Sequence, residues 1–209
     1  MSTKTDKLTM RRYQTEEDYW RIRGFLRRVF LLNGRRQYSW PVGRLDYWRW
    51  HGVANCGGCG PIESVVFIWE TEDGEISAVL NPEGHGEAFL HVDPRLRTPA
   101  LEEEMLDVAG KHLVHPKRQR LWVSAHSDDD LRQEILTRRG FNKVTQAQAV
   151  EHQHRRYLDG PIPEVQIAPG YTVRSLGEND ELPSRSWASW RAFHPDEPDE
   201  AYEGWEWYH

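Results

Sequence analysis

The stretch FLHVDPRLRTPALEEEMLDVAGKHL, Phe89 to Leu113, combines residue types suited to holding an anion and moving a proton. Thr98 can cap a helix that begins at Pro99, and such a start turns free backbone N–H groups toward a phosphate or another anion. His91 carries a ring whose near-neutral pKa can relay a proton; a lone strand histidine can equally be a hydrogen-bonded structural residue. Elsewhere, His51, Cys56 and Cys59 offer three metal ligands. A closed zinc site takes four and no second CxxC exists, so no metal is assigned and a glycine-rich loop is the simpler reading. That CxxC precedes a strand rather than opening a helix, which disfavours a redox pair. His152 and His154 alternate on one face, as metal ligands or as a solvated edge strand. Asp128 to Asp130 is most simply a charged helix start.

The elements that position these residues follow from periodicity. Leu8 to Tyr13 reads as a first strand, and Thr15 with Asp18 as a helix cap. Tyr19, Ile22, Phe25, Leu26, Val29 and Phe30 then form one apolar stripe that ends near Asn33-Gly34. A second helix from about Arg44 to His51 places Leu45 and Trp48 together. Val65 to Trp69 and Ile76 to Leu80 form a hairpin through Asp73-Gly74, and Leu90 and Val92 lie on a further strand that ends at Asp93-Pro94. Leu101, Met105, Leu106, Val108 and Ala109 recur at helical spacing. Leu121 to Ala125 is a short strand and Asp128 to Arg139 a helix with Gly140 as its C-cap, and Val144 to Tyr157 supplies two final strands.

Residues 159–170, rich in proline and glycine, read as a linker. Beyond it Thr172-Val173-Arg174 echoes Thr9-Met10-Arg11, and the same spacing carries Phe30 onto Phe193. Both copies then reach a Trp-x-Trp pair, Trp48/Trp50 and Trp205/Trp207, so residues 171–209 read as the start of a second, incomplete copy of domain 1–158. The 209 residues carry a formal charge of -6, with 38% hydrophobic and 29% charged residues. That balance, without a basic block or an RNA-binding motif, gives no sign of a nucleic-acid surface, so no nucleic-acid partner is expected, and no apolar run is long enough to span a membrane. The opening MSTKTDKLTMRRYQ lacks the apolar core of a signal peptide, so a cytoplasmic location is expected. The tryptophan-rich tail favours self-association, as a homodimer.

In order, the elements are a strand, two helices, three antiparallel strands, a helix, a strand, a helix and two strands. This α/β (α+β) plan with a mixed central sheet resembles the GNAT superfamily of acyl-CoA N-acyltransferases. Val92-Asp93-Pro94-x-x-Arg97 is similar to the end of the family's fourth strand, Arg97 to the first position of its Arg/Gln-x-x-Gly-x-Gly/Ala pyrophosphate loop, and Gly140-Phe141 to its Gly-Phe after the fourth helix. The two-copy plan resembles tandem GNAT proteins, including relatives of mycothiol synthase.

The resemblance implies an N-acetyltransferase that uses acetyl-CoA as co-substrate and a small-molecule or peptide amine as acceptor. Pantetheine would bond strand backbone at Leu90 to Val92, and the pyrophosphate would sit at Arg97, Thr98, Ala100, Leu101 and Glu102. Glu87 lies one residue from the family's general base, which puts it on the opposite strand face unless a bulge intervenes, and His91 is the other candidate. Arg35, Arg36, Tyr38 and Trp40 fall in the region that covers the acceptor. The chain also departs from the pattern. Ala100 and Glu102 replace the loop's small residues, Pro99 removes one N–H, and Asp129 and Leu136 stand where the family often has Asn and Tyr. The alternative function is therefore a catalytically degenerate domain that serves as a scaffold or CoA-binding module beside an active second domain absent from this chain.

Overall fold

The computed structural model describes residues 7–54, 58–146, 150–154 and 156–204. The chain divides into two compact units, Met1–Gln153 and His154–His209.

The first unit is a mixed α/β layer structure. Strands β1 (Thr9–Arg12), β2 (Phe67–Glu70), β3 (Ile76–Asn81), β4 (Glu87–Val92) and β5 (Trp122–Val123) lie in the order β1-β2-β3-β4-β5. The first four are antiparallel and β5 runs parallel to β4. β2 and β3 are buried almost throughout, as strands covered on both faces must be, and they read as near-continuous apolar runs. Helix α1 (Glu16–Leu32) buries Tyr19, Ile22, Phe25, Leu26 and Val29, the stripe its spacing predicts. Its cap is not the Thr15 hydroxyl. Asp18 instead reaches back to accept the Gln14 N–H at 2.8 Å and binds Arg11 through both oxygens at 2.6 and 2.8 Å.

Helix α2 (Val42–Tyr47) starts at Pro41 and continues as a wider π turn over Trp48–Val53, and Leu45 and Trp48 are both buried. A short helix α3 (Ile62–Val65) stands where the sequence suggested the strand's first residue. Cys56 lies outside the described residues. Helix α4 (Pro99–His112) buries Leu101, Met105, Leu106 and Ala109, and α5 (Asp130–Arg138) buries Ile135. Gly140 follows α5 with φ of +81°, the left-handed end its residue type favours.

The two expected final strands do not form in the described part of Val144–Tyr157. Residues 150–154 are exposed and mostly polar, so they present no apolar face to bury against a sheet. The second unit, taken by itself, holds α6 (Leu182–Phe193), preceded by a 3₁₀ turn at Asn179–Glu181 and followed by another at Asp199–Ala201. The Tyr202 hydroxyl donates to Ser186 Oγ at 2.7 Å, and Trp190 stacks on His194 at 5.1 Å. Thr172–Arg174 is exposed and in no strand; Trp205 and Trp207 lie outside the described residues.

The junction of β4 and β5 depends on Gly86, whose φ is +80° and whose carbonyl accepts the Trp122 N–H at 2.7 Å. A Cβ at this position would lie 2.6 Å from His115 Cβ and 3.0 Å from the Arg120 carbonyl oxygen. Gly86→Ala is expected to destabilise the protein by about 3 kcal/mol in urea unfolding, from the unfavourable φ and the overpacking together. Gly43→Ala in α2, which meets nothing within 4 Å, is expected to stabilise by about 0.5–1 kcal/mol.

Candidate functional site

β5 accompanies β4 for only two residue pairs, Glu87 with Trp122 and Ala88 with Val123, and its last bond runs from the Ser124 N–H to the Ala88 carbonyl at 3.3 Å. Backbone groups alternate sides along a strand. Phe89 and His91 therefore bond toward β3, while Leu90 and Val92 turn their N–H and C=O the same way as Ala88, past the end of the β5 ladder. A cleft of about 340 Å³ opens there. Leu90, Val92, Pro94 and Arg97 line one side, Asn33, Tyr38 and Ser39 another, and Asp128, Asp129, Asp130 and Arg132 the third. The structure thus brings the expected residues Leu90, Val92 and Arg97 into one cleft.

The loop from β4 into α4 is held in part by its own bonds. Thr98 caps α4 by accepting the Leu101 N–H at 3.2 Å, as its position predicts, and its carbonyl accepts the Glu102 N–H at 3.1 Å. Asp93 accepts the Arg95 N–H at 3.0 Å through its side chain and the Leu96 N–H at 3.0 Å through its carbonyl. Pro99 has no N–H to offer. Ala100 is exposed on the first turn.

Glu102 is fully buried and binds two guanidinium groups. Arg97 Nε donates to it at 2.6 Å, and Arg132 donates through two nitrogens at 2.8 and 2.9 Å. Arg97 also donates to both oxygens of Asp129 at 2.8 and 2.9 Å, while Asp129 caps α5 by accepting the Arg132 N–H at 3.2 Å. Two arginines and two carboxylates so form one neutral quartet between the starts of α4 and α5. Arg132 is the member that sequence reasoning missed. Its spacing from Asp129 was visible, but its meeting with Glu102 joins two helices distant in sequence.

His91 is buried and held on both ring nitrogens. The Trp40 N–H donates to Nδ1 at 3.3 Å, so Nε2 carries the proton and donates to Asn81 Oδ1 at 3.0 Å. Burial, with the positive charges of Arg132 and Arg44, pushes its pKa down to about 3. In this arrangement neither nitrogen is open to receive a proton from an amine. Glu87 lies on the β4 face shared with Phe89 and His91, away from Leu90 and Val92, and pairs with β5 without an intervening bulge. Its carboxylate accepts the Gly84 N–H at 2.9 Å, and it does not line the cleft. Neither expected base is therefore brought to the cleft edge.

The loop after α1 is tied to the start of α5. Tyr38 donates its hydroxyl to Asp128 at 2.8 Å, Arg36 bonds the same carboxylate at 3.0 Å, and His126 pairs with its other oxygen. Arg36 and Tyr38 thus reach the cleft rim, whereas Trp40 is buried against Phe89 and His91. Cys59 is half-buried, with its thiol pushed up to about 11 by burial, which keeps it protonated at neutral pH. Among the described residues no three His, Cys, Asp or Glu side chains converge on a metal position, and no helix is long and apolar enough to cross a membrane.

No protein-family model and no curated protein matches the chain. Among solved structures it is similar to the GCN5-related N-acetyltransferase from Sphaerobacter thermophilus, with a TM-score of 0.51 and 12% identity over 91% of this chain and 64% of that one. It is also similar to a Clostridium acetobutylicum structure described as a predicted acetyltransferase with acetyl-CoA, with a TM-score of 0.42 and 12% identity over 70% of this chain and 96% of that one. The chain spans 64% of the length of the Sphaerobacter protein. The likeness to the Sphaerobacter protein shows that the chain shares its fold.

His91 has a pKa of about 3 in the folded chain against about 6.5 when unfolded, so between these pH values only the unfolded state takes its proton. Acid then favours unfolding, and the stabilisation is present above pH 6.5 and lost as pH falls toward 3. Urea unfolding of the wild type is expected to weaken by about 1.4 kcal/mol per pH unit from this group between pH 6 and 5, and His91→Asn to lack that increment. Arg132→Ala, which leaves Glu102 buried with one partner, is expected to destabilise by about 3–5 kcal/mol in the same assay.

Proposed function

We propose that the first unit is an N-acyltransferase domain that holds an acyl thioester of pantetheine, with acetyl-CoA as donor, in the cleft between β4 and β5. The acetyl group passes to an amine on a small molecule or peptide. The observation that carries this reading is the edge at Leu90 and Val92, where backbone groups point into the cleft beyond the last β5 bond. Pantetheine is an extended chain with two amides, and it can add to that edge as a short strand would.

In the transfer the amine nitrogen attacks the thioester carbon, and the C–N bond forms as the C–S bond breaks. The ammonium gives one proton to water before the attack, and the second nitrogen proton passes to the departing thiolate, so that the rest of the donor leaves as the free thiol. The domain contributes chiefly by holding the two reactants together within a walled cleft. Glu87 and His91 act in the structure and not as the base, since one faces away from the cleft and the other is held on both nitrogens. The echo of Thr9–Arg11 in Thr172–Arg174, with α6 over residues that the same spacing aligns with α1, supports reading residues 171–209 as the opening of a second copy, in the plan of mycothiol synthase-like proteins.

The buried quartet supports a second reading, a domain that keeps the fold and cleft and serves as a scaffold or binding module. Thiol release from acetyl-CoA by the full chain, measured over a panel of primary amines, separates the two. Amine-dependent release above the uncatalysed rate is expected, with Glu87→Gln within about threefold of wild type, because general-base removal typically costs about 10²-fold or more. No release with any amine, despite saturable donor binding, would leave the scaffold reading standing instead.

A further inference from the structure

We propose that Glu102 sets the donor specificity of the cleft. Its carboxylate occupies the role of a ligand phosphate at the start of α4, so the donor is recognised through its pantetheine arm and its diphosphate adds nothing to binding. This rests on the reading of the cleft as an acyl-thioester site and says which part of the donor that site recognises.

The cations of the loop are already taken. Arg97 is bound to Glu102 and Asp129, Arg132 to Glu102, and Arg95 to Asp93 at 2.6 Å. A diphosphate would have to pull Arg97 from two carboxylates, one of them fully buried, and would find a neutral cluster rather than a net positive one.

Four of the backbone donors are taken as well. The N–H groups of Arg95, Leu96, Leu101 and Glu102 bond within the loop, and Pro99 has none. A helix start binds an anion through donors that point outward and unpaired, and here the Leu101 and Glu102 N–H groups are turned to Thr98 instead. Asp130, on the opposite wall of the cleft, adds negative charge to the path of an approaching anion, while Asp128 beside it is bound by Arg36 and Tyr38. The pantetheine edge at Leu90 and Val92 is untouched by these bonds. One end of the cleft therefore offers an edge to an amide chain, while the other has its cations already paired with carboxylates.

The test is calorimetric titration of the full chain with acetyl-CoA, with S-acetylpantetheine, which lacks the nucleotide, and with inorganic diphosphate. Wild type is expected to bind the two thioesters within about threefold of each other and diphosphate not at all. Glu102→Gln keeps the side chain's shape and removes one negative charge; it is expected to favour acetyl-CoA over S-acetylpantetheine by about tenfold and to make diphosphate a competitor. A wild-type preference for acetyl-CoA of about tenfold or more would overturn the proposal and leave the thioester reading intact, and the comparison needs no variant. An unchanged donor ratio in a folded Glu102→Gln protein would overturn it too. Failure of both thioesters to bind wild type would sink the thioester reading and this proposal together.

Discussion

Arg97, Glu102, Asp129 and Arg132 make one closed set of charges, and the wall of the cleft is built around it. Each member is tolerable at its depth because the others are there, since an ion taken out of water is costly unless an opposite charge and hydrogen bonds replace the solvent. The set also does geometric work. It joins the first turn of α4 to the first turn of α5, two helices that flank the cleft from separate parts of the chain. A substitution in the quartet therefore acts on stability and on the shape of the cleft at once.

The cleft itself exists because β5 is short. A longer parallel strand would have satisfied the β4 backbone at Leu90 and Val92 and filled the gap with its own side chains. Two residue pairs suffice to align β5 with β4, after which the chain leaves toward the start of α5. The tight approach at Gly86 holds the closed end of this fork and the quartet holds the open end.

On the other face of β4, the bridge from Trp40 through His91 to Asn81 ties the loop between α1 and α2 to the middle of the sheet. The same loop reaches across to Asp128 with Arg36 and Tyr38. One short segment is thus fastened both to the sheet and to the opposite wall of the cleft, which keeps Tyr38 and Ser39 in place as lining residues.

Local chemistry was enough to reveal much of the framework. The stripe of α1, the hairpin of β2 and β3, the Thr98 cap with Pro99 behind it and the glycine after α5 all depend on residues a few positions apart, so spacing and residue type determined them. The last two strands, expected from weak alternation, do not form among the described residues, because a strand also needs a partner edge and an apolar face, and Val144–Tyr157 brings neither in its described part. The chemistry at Glu102 and His91 was beyond reach for a related reason. Sequence showed a carboxylate at a phosphate loop and a near-neutral histidine; only tertiary structure could decide that Arg132 neutralises the first and that Trp40 and Asn81 occupy both nitrogens of the second. Charge and proton affinity in a protein are set by neighbours in space, and for these two residues the decisive neighbours come mainly from distant parts of the chain.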